Sequence, residues 1–181
     1  MPNYFGYQRF GKEVVDNLAK AKEVVYGDEI VKDKKLSKML IAAYQSSFFN
    51  AWLVERLKLS KDEFVLLNGD VFMDLEKDKI FTPKVITANI LNDFKSSKIT
   101  PMGLLPGRKV FKAMGDALKI EEKYDDLYIQ EKGYRREAII FPRDISCKYD
   151  ASKKVCALDF VLPKGSYATV LVEFLANRNF S

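Results

Sequence analysis

Pro2-Asn3-Tyr4-Phe5-Gly6-Tyr7-Gln8-Arg9-Phe10-Gly11 packs four aromatic rings, two glycines and one arginine into ten residues. No helical or alternating period runs through it, so it reads as a glycine-punctuated loop. Arg9 between aromatics suits two roles, a phosphate or base contact and a buried pin for a hinge. Tyr4, Phe5, Tyr7 and Phe10 suit two as well, base stacking and core packing.

Outward from this stretch the chain is helical first. A short helix is expected from about Lys12 to Val25, ended by Gly27. A long one is expected from about Leu36 to Leu57, where Leu36, Leu40, Ala43, Ser47, Ala51 and Val54 recur at helical spacing. Phe48, Phe49 and Trp52 widen its apolar face, and Tyr44, Gln45 and Asn50 are expected to bond interior loops. Phe64 to Met73 reads as strand interrupted by Asn68-Gly69-Asp70, with Lys79 to Thr82 pairing back onto it. A short helix over Thr87–Phe94, a Pro/Gly-rich loop from Thr100 to Gly107 and a helix from Arg108 to Tyr124 follow. Past Gly133, Arg136–Tyr149 and Lys154–Leu162 read as strands around a turn at Ala151-Ser152, which sets Cys147 and Cys156 opposite each other. A helix from about Tyr167 to Ala176 closes the chain, with Ser166 as its N-cap. Two strands cannot close a sheet, so this tail needs a partner surface.

Composition narrows the chemistry. The 181 residues are 48% hydrophobic and 30% charged, a globular balance. Histidine is absent, which removes His-based triads, His zinc sites and His general bases. The two cysteines are too few for a disulfide scaffold and are expected as reduced thiols. Neither a bilayer-spanning run nor a signal pattern is present, and the expected compartment is the cytoplasm. Net charge is +5 with a sequence pI near 9.0, which favours polyanions. Lys95, Lys98, Arg108, Lys109 and Lys112 fall in a stretch without an acid, a phosphate-tracking patch or a solvated face. Lys164-Gly165-Ser166 opens the last helix, where backbone N–H groups and a cation suit an anion.

The opening stretch resembles P-N-Y-F-G-x-Q-R-F-G, a hallmark of the TruD family of tRNA pseudouridine synthases. Ala43-Tyr44-Gln45-Ser46-Ser47-Phe48-Phe49-Asn50 is similar to A-Y-Q-S-Y-L-F-N, with Ser47 where an aromatic is common. Asn68-Gly69-Asp70 is similar to a conserved G-D strand end, Gly133-Tyr134-Arg135-Arg136 to an R-R pair, and Leu162-Pro163-Lys164-Gly165-Ser166-Tyr167-Ala168-Thr169 to L-P-x-G-S-Y-A-T. These segments occur in family order and cover essentially the whole chain.

The resemblance implies an α+β fold. A hinge over residues 1–11 leads into a mostly helical, family-specific insertion domain over 12–132. Residues 133–181 then supply a β-hairpin and helix to the mixed sheet of the catalytic domain. It implies isomerisation of a uridine in tRNA, usually at position 13, without cofactor or metal. A carboxylate attacks the nucleotide, the glycosidic bond breaks, and the turned uracil is rejoined through carbon. The candidate RNA contacts, from the resemblance and the charge pattern together, are Asn3, Phe5, Gln8, Arg9, Lys95, Lys98, Arg108, Lys109, Lys112, Arg135, Arg136, Lys164, Ser166 and Tyr167. The nucleophilic aspartate of the family lies in G-x-K-D-[KR]-x-A-x-T and a base-contacting ring in N-x-F, both upstream of the opening stretch; the aspartate motif is not present, and the letters N-x-F recur only at Asn3-Tyr4-Phe5 and Asn92-Asp93-Phe94, not upstream. Lys32-Asp33-Lys34 has no glycine in register and no A-x-T. Lys77-Asp78-Lys79 precedes Thr82 one residue too soon. The expectation is therefore a chain without a catalytic residue of its own, inactive alone, with tRNA as partner and no membrane. Two alternatives stand beside it: a non-catalytic RNA-binding module, and a half-protein that complements a separate N-terminal half.

Overall fold

The computed structural model describes residues 1–11 and 13–178. The expected helix start at Lys12 lies outside the described residues. Helix α1 spans Val14–Tyr26 and stops at Gly27, whose φ of 83° lets its N–H reach back to Glu23 and Val24 carbonyls. Helix α2 spans Lys34–Leu57. Asp33 caps it, accepting from the N–H groups of Lys35 at 2.8 Å and Leu36 at 3.2 Å. Among the described residues, Phe49, Trp52 and Leu53 on α2 are almost wholly buried, as its aromatic stripe predicts.

Against α2 lies an antiparallel sheet in the order β2-β1-β3-β4. Its strands are β1 (Val71–Asp74), β2 (Lys79–Phe81), β3 (Ile99–Leu105) and β4 (Tyr134–Glu137). Helix α3 (Ala88–Lys95) joins β2 to β3, and α4 (Gly115–Glu121), prolonged by a 3-10 turn over Glu122–Tyr124, lies between β3 and β4. A twisted ribbon of β5 (Arg143–Asp150) and β6 (Val155–Val161) follows, then helix α5 (Ala168–Ala176). The mixed helix-and-strand content agrees with the expected α+β class.

The stretch expected as a Pro/Gly-rich loop is instead β3, a central strand buried along its whole length. Burial on both faces removes the alternation that marks a half-exposed strand. Pro101 lends no N–H, yet its carbonyl accepts from the Ala138 N–H at 2.7 Å. Gly103 lies flat beneath α2: a Cβ there would fall 2.4 Å from the Trp52 ring and 2.7 Å from Phe49. Glycine here is a close-approach residue, not a turn residue.

Three further expectations are corrected. Phe64–Met73 forms strand only from Val71, because Asp70 folds the preceding segment around its own carboxylate. Arg108–Tyr124 is helical only from Gly115. Upstream of that, backbone donors leave the segment: Arg108 N–H bonds Glu131, Ala113 N–H bonds the Glu121 carboxylate, and Met114 N–H bonds Gly69. Arg136–Tyr149 is two strands separated before Pro142, and the first of them pairs with β3 rather than β6. The chain thus crosses Gly133 within one sheet.

In the ribbon, Cys147 lies opposite Leu158 and Cys156 opposite Tyr149. The cysteines are diagonal neighbours on one face rather than the directly opposed pair expected. Both are free, exposed thiols, and hydrogen bonding to Cys147 raises the Cys156 pKa. With Tyr149 and Leu158 they make one apolar face of β5–β6. Among the described residues no helix is long and apolar enough to cross a membrane.

Candidate nucleic-acid interface

Four of the five sequence segments singled out at the start meet at one side chain, Arg136, the exception being Asn68-Gly69-Asp70. It leaves β4 and donates through Nε to the Asn3 carbonyl at 3.0 Å, through Nη2 to Asn3 Oδ1 at 2.8 Å, and through Nη1 to the Gly165 carbonyl at 3.0 Å. Its guanidinium lies over the Phe5 ring at 3.9 Å, with Phe49 at 5.5 Å and Tyr167 at 6.0 Å. One planar cation therefore ties the opening stretch to the loop before α5, using a fork that lysine cannot imitate. Burial lowers its pKa to about 10, which still leaves it charged at neutral pH.

The rest of the opening stretch is held as firmly. Asn3 N–H bonds the Ala138 carbonyl, and Asn3 Nδ2 bonds the Glu137 carbonyl, both at 2.9 Å. On α2, Asn50 accepts from the Phe5 N–H at 2.9 Å and donates to the Phe5 carbonyl at 3.0 Å. Arg9 donates through Nε to Ser46 Oγ and through Nη2 to the Ala42 carbonyl. That geometry favours the hinge-pin reading for Arg9. Gln8 is exposed and accepts from the Thr169 hydroxyl at 3.2 Å, a second tie between hinge and α5.

A cleft of about 350 Å³ opens beside this joint. Asn3, Phe5, Arg135, Arg136 and Lys164 all line it, five of the expected RNA contacts drawn from three distant segments. Glu137 lines it too, and burial raises its pKa. Arg135 differs from its neighbour: its guanidinium is bound by buried Glu121 and by the Phe111 carbonyl, so its charge is spent inside the protein.

The other expected contacts separate. Lys95 and Lys98 stand before β3, and Arg108, Lys109 and Lys112 after it. The strand between them spans about 20 Å, so the five cations do not form one patch. Lys112 is also paired with Asp125. Tyr167, not Ser166, is the residue before the first turn of α5 and makes no side-chain cap bond. Ser166 Oγ is buried without a hydrogen-bond partner. The two aspartate mimics are structural: Asp33 caps α2, and Asp78 takes a φ of 51° in the β1–β2 turn.

One buried, cation-paired aspartate does occur. Arg56 Nη1 and Nη2 donate to the two carboxylate oxygens of Asp70 at 2.6 and 2.9 Å. Leu67 N–H adds a third bond at 2.7 Å. Arg56 also donates to the Val65 carbonyl and lies over the Phe64 and Trp52 rings. Asp70 is absent from the lining of the five main cavities among the described residues. Its oxygens are engaged, so its work is structural.

The sequence profile described as tRNA pseudouridine synthase D (TruD) matches residues 12–174. The chain belongs to the TruD family. A curated TruD relative from a Nitratiruptor species is 40% identical over an alignment covering 98% of this chain and 57% of the relative. One from Wolinella succinogenes is 36% identical with the same coverage. A crystal structure described as that of a putative TruD from Methanosarcina mazei superposes with a TM-score of 0.73 at 20% identity, covering 98% of this chain and 61% of that one, a likeness of fold. The chain thus spans little more than half the length of the curated TruD relatives it matches.

Two features escaped sequence reading. Glu121 binds Arg135 and Asp126 binds Tyr44, 14 and 82 residues away, through contacts no local pattern signals. Glu137 follows the R-R pair directly, yet its burial depends on β3 pairing, which the loop reading of that strand concealed.

Proposed function

We propose that this chain is the RNA-docking and C-terminal part of a tRNA pseudouridine synthase acting on uridine, usually at position 13, in the cytoplasm. The observation that carries the reading is the joint at Arg136, where the opening stretch, the α2 motif, the R-R pair and the segment before α5 meet beside a nucleotide-sized cleft. Lys164 would contact RNA phosphate there and Phe5 would offer a ring, while Asn3, its polar groups all bonded inside the protein, and Tyr167 would hold the joint in shape. Lys95, Lys98, Arg108, Lys109 and Lys112 would act as separated phosphate contacts, with Gln8, Arg9, Arg135, Arg136 and Ser166 supporting the site. No cofactor is required.

In this reading residues 1–11 are the entry, 12–132 the insertion domain and 133–181 the end of the catalytic domain, with β4 as the packed seam between the last two. The family's aspartate motif does not occur in this sequence. The chain alone is accordingly inactive, and the nucleophile comes from the portion of family length it does not span. The apolar face formed by Cys147, Tyr149, Cys156 and Leu158 supports a half-protein reading, since that portion would cover it.

Filter binding of the purified chain to unfractionated tRNA tests the docking role. Micromolar binding at low salt, weakening by about tenfold or more between roughly 50 and 200 mM salt, is expected. No retention at low salt, or binding indifferent to salt, would count against it.

A further inference from the structure

We propose that the stacked pair Tyr26 and Tyr128 is a second RNA contact, a platform for an unpaired base away from the Arg136 cleft. The inference rests on the RNA-docking reading above. The two rings stack with centroids 4.5 Å apart and planes 23° apart, although their residues are separated by most of the insertion segment. Both remain open to solvent, Tyr128 at 61% exposure and Tyr26 at 42%. Lys22 holds its ammonium 5.7 Å from the Tyr26 centroid.

Exposed tyrosines usually wander among rotamers, but these are held. Asp126 accepts from the Tyr128 backbone N–H at 2.9 Å and from the Tyr44 and Tyr26 hydroxyls at 3.1 and 3.4 Å. Tyr44 belongs to the Ala43–Asn50 motif on α2. Its neighbour Gln45 donates to the Pro106 and Lys132 carbonyls at 2.8 and 3.1 Å, fixing the far end of the same loop. Ile129, almost fully buried, anchors the middle. The family motif thus spends two polar side chains on presenting Tyr128 outward.

The end of that loop adds cations. Lys132 bridges to Arg108 through the backbone and lies 5.5 Å from the Tyr134 ring, and Lys109 follows Arg108. A pre-stacked aromatic pair with the Lys22 ammonium against one ring suits a single-stranded polyanion whose bases carry π-faces. Stacking of this kind tolerates any base, so the platform would add affinity without sequence preference.

The test uses the full chain with two probes, unfractionated tRNA and a labelled oligoadenylate of about 12 nucleotides, within single-strand site sizes. Tyr128→Ala is expected to weaken oligoadenylate binding about tenfold, with the salt slope unchanged because no charge is lost. Tyr128→Phe should bind as the parent does, since the hydroxyl is not required. Unaltered thermal unfolding of Tyr128→Ala would show that the fold is intact. Equal binding by parent and Tyr128→Ala, with both still holding tRNA, overturns the platform while the docking reading survives. A parent chain that retains neither probe at low salt overturns both.

Discussion

Replacing Asp70 with alanine will destabilise the protein by about 3–5 kcal/mol, read as a large fall in the urea midpoint. The substitution leaves the Arg56 guanidinium buried with its counter-charge gone. Arg56 is 1% exposed and has no route to water. Three hydrogen bonds to the carboxylate vanish together. The loss spreads through the turn, because Gly69 takes a φ of 85° with its carbonyl bonded to Met114, where a Cβ would strike the Met114 carbonyl at 1.9 Å. Removing both charges with Arg56→Met and Asp70→Leu should recover much of the loss, since an apolar pair avoids the uncompensated ion. A single-variant loss below about 1 kcal/mol would show that the pair does not organise this region.

Replacing Arg136 with alanine will cost about 3 kcal/mol and loosen the hinge from the end of the chain. Three charge-assisted bonds of 3.0 Å or less disappear, leaving Asn3 and Gly165 acceptors without their donor. The cation over Phe5 is lost as well. Arg136→Lys should rescue little, because an ammonium cannot face Asn3 and Gly165 at once. Hydrogen exchange should locate the damage, with protection falling over residues 1–10 and 162–176 while α2 keeps its own. Loss spread evenly over the whole chain, or full rescue by lysine, would contradict a joint built on guanidinium geometry.

Helices were the most legible elements, for local reasons. The capping role of Asp33 became visible only in the structure and moves the start of the long helix from Leu36 to Lys34, whereas Gly27 marks the end of its helix by left-handed backbone, written in a single residue. The β2 hairpin strand was legible for the same reason. Strand β3 was not, because Pro101 and Gly103 signal a turn locally while their roles are set by Ala138 and Trp52, far away in sequence. The candidate site was half legible. The motifs named its residues through family likeness, but not their division of labour. Arg135 and Arg136 are adjacent, yet β-strand alternation sends one to buried Glu121 and the other to the hinge. The cationic run from Lys95 to Lys112 looked continuous only because the strand dividing it was read as a loop.

Pseudouridine formation in tRNA, measured by nucleoside analysis after incubation with the purified chain, tests the central claim most directly. The chain alone is expected to form none. Added or co-expressed with a TruD polypeptide that carries G-x-K-D-[KR]-x-A-x-T and N-x-F, it should support modification that neither part achieves separately. Turnover by the chain alone would place a working nucleophile among these residues and contradict the account.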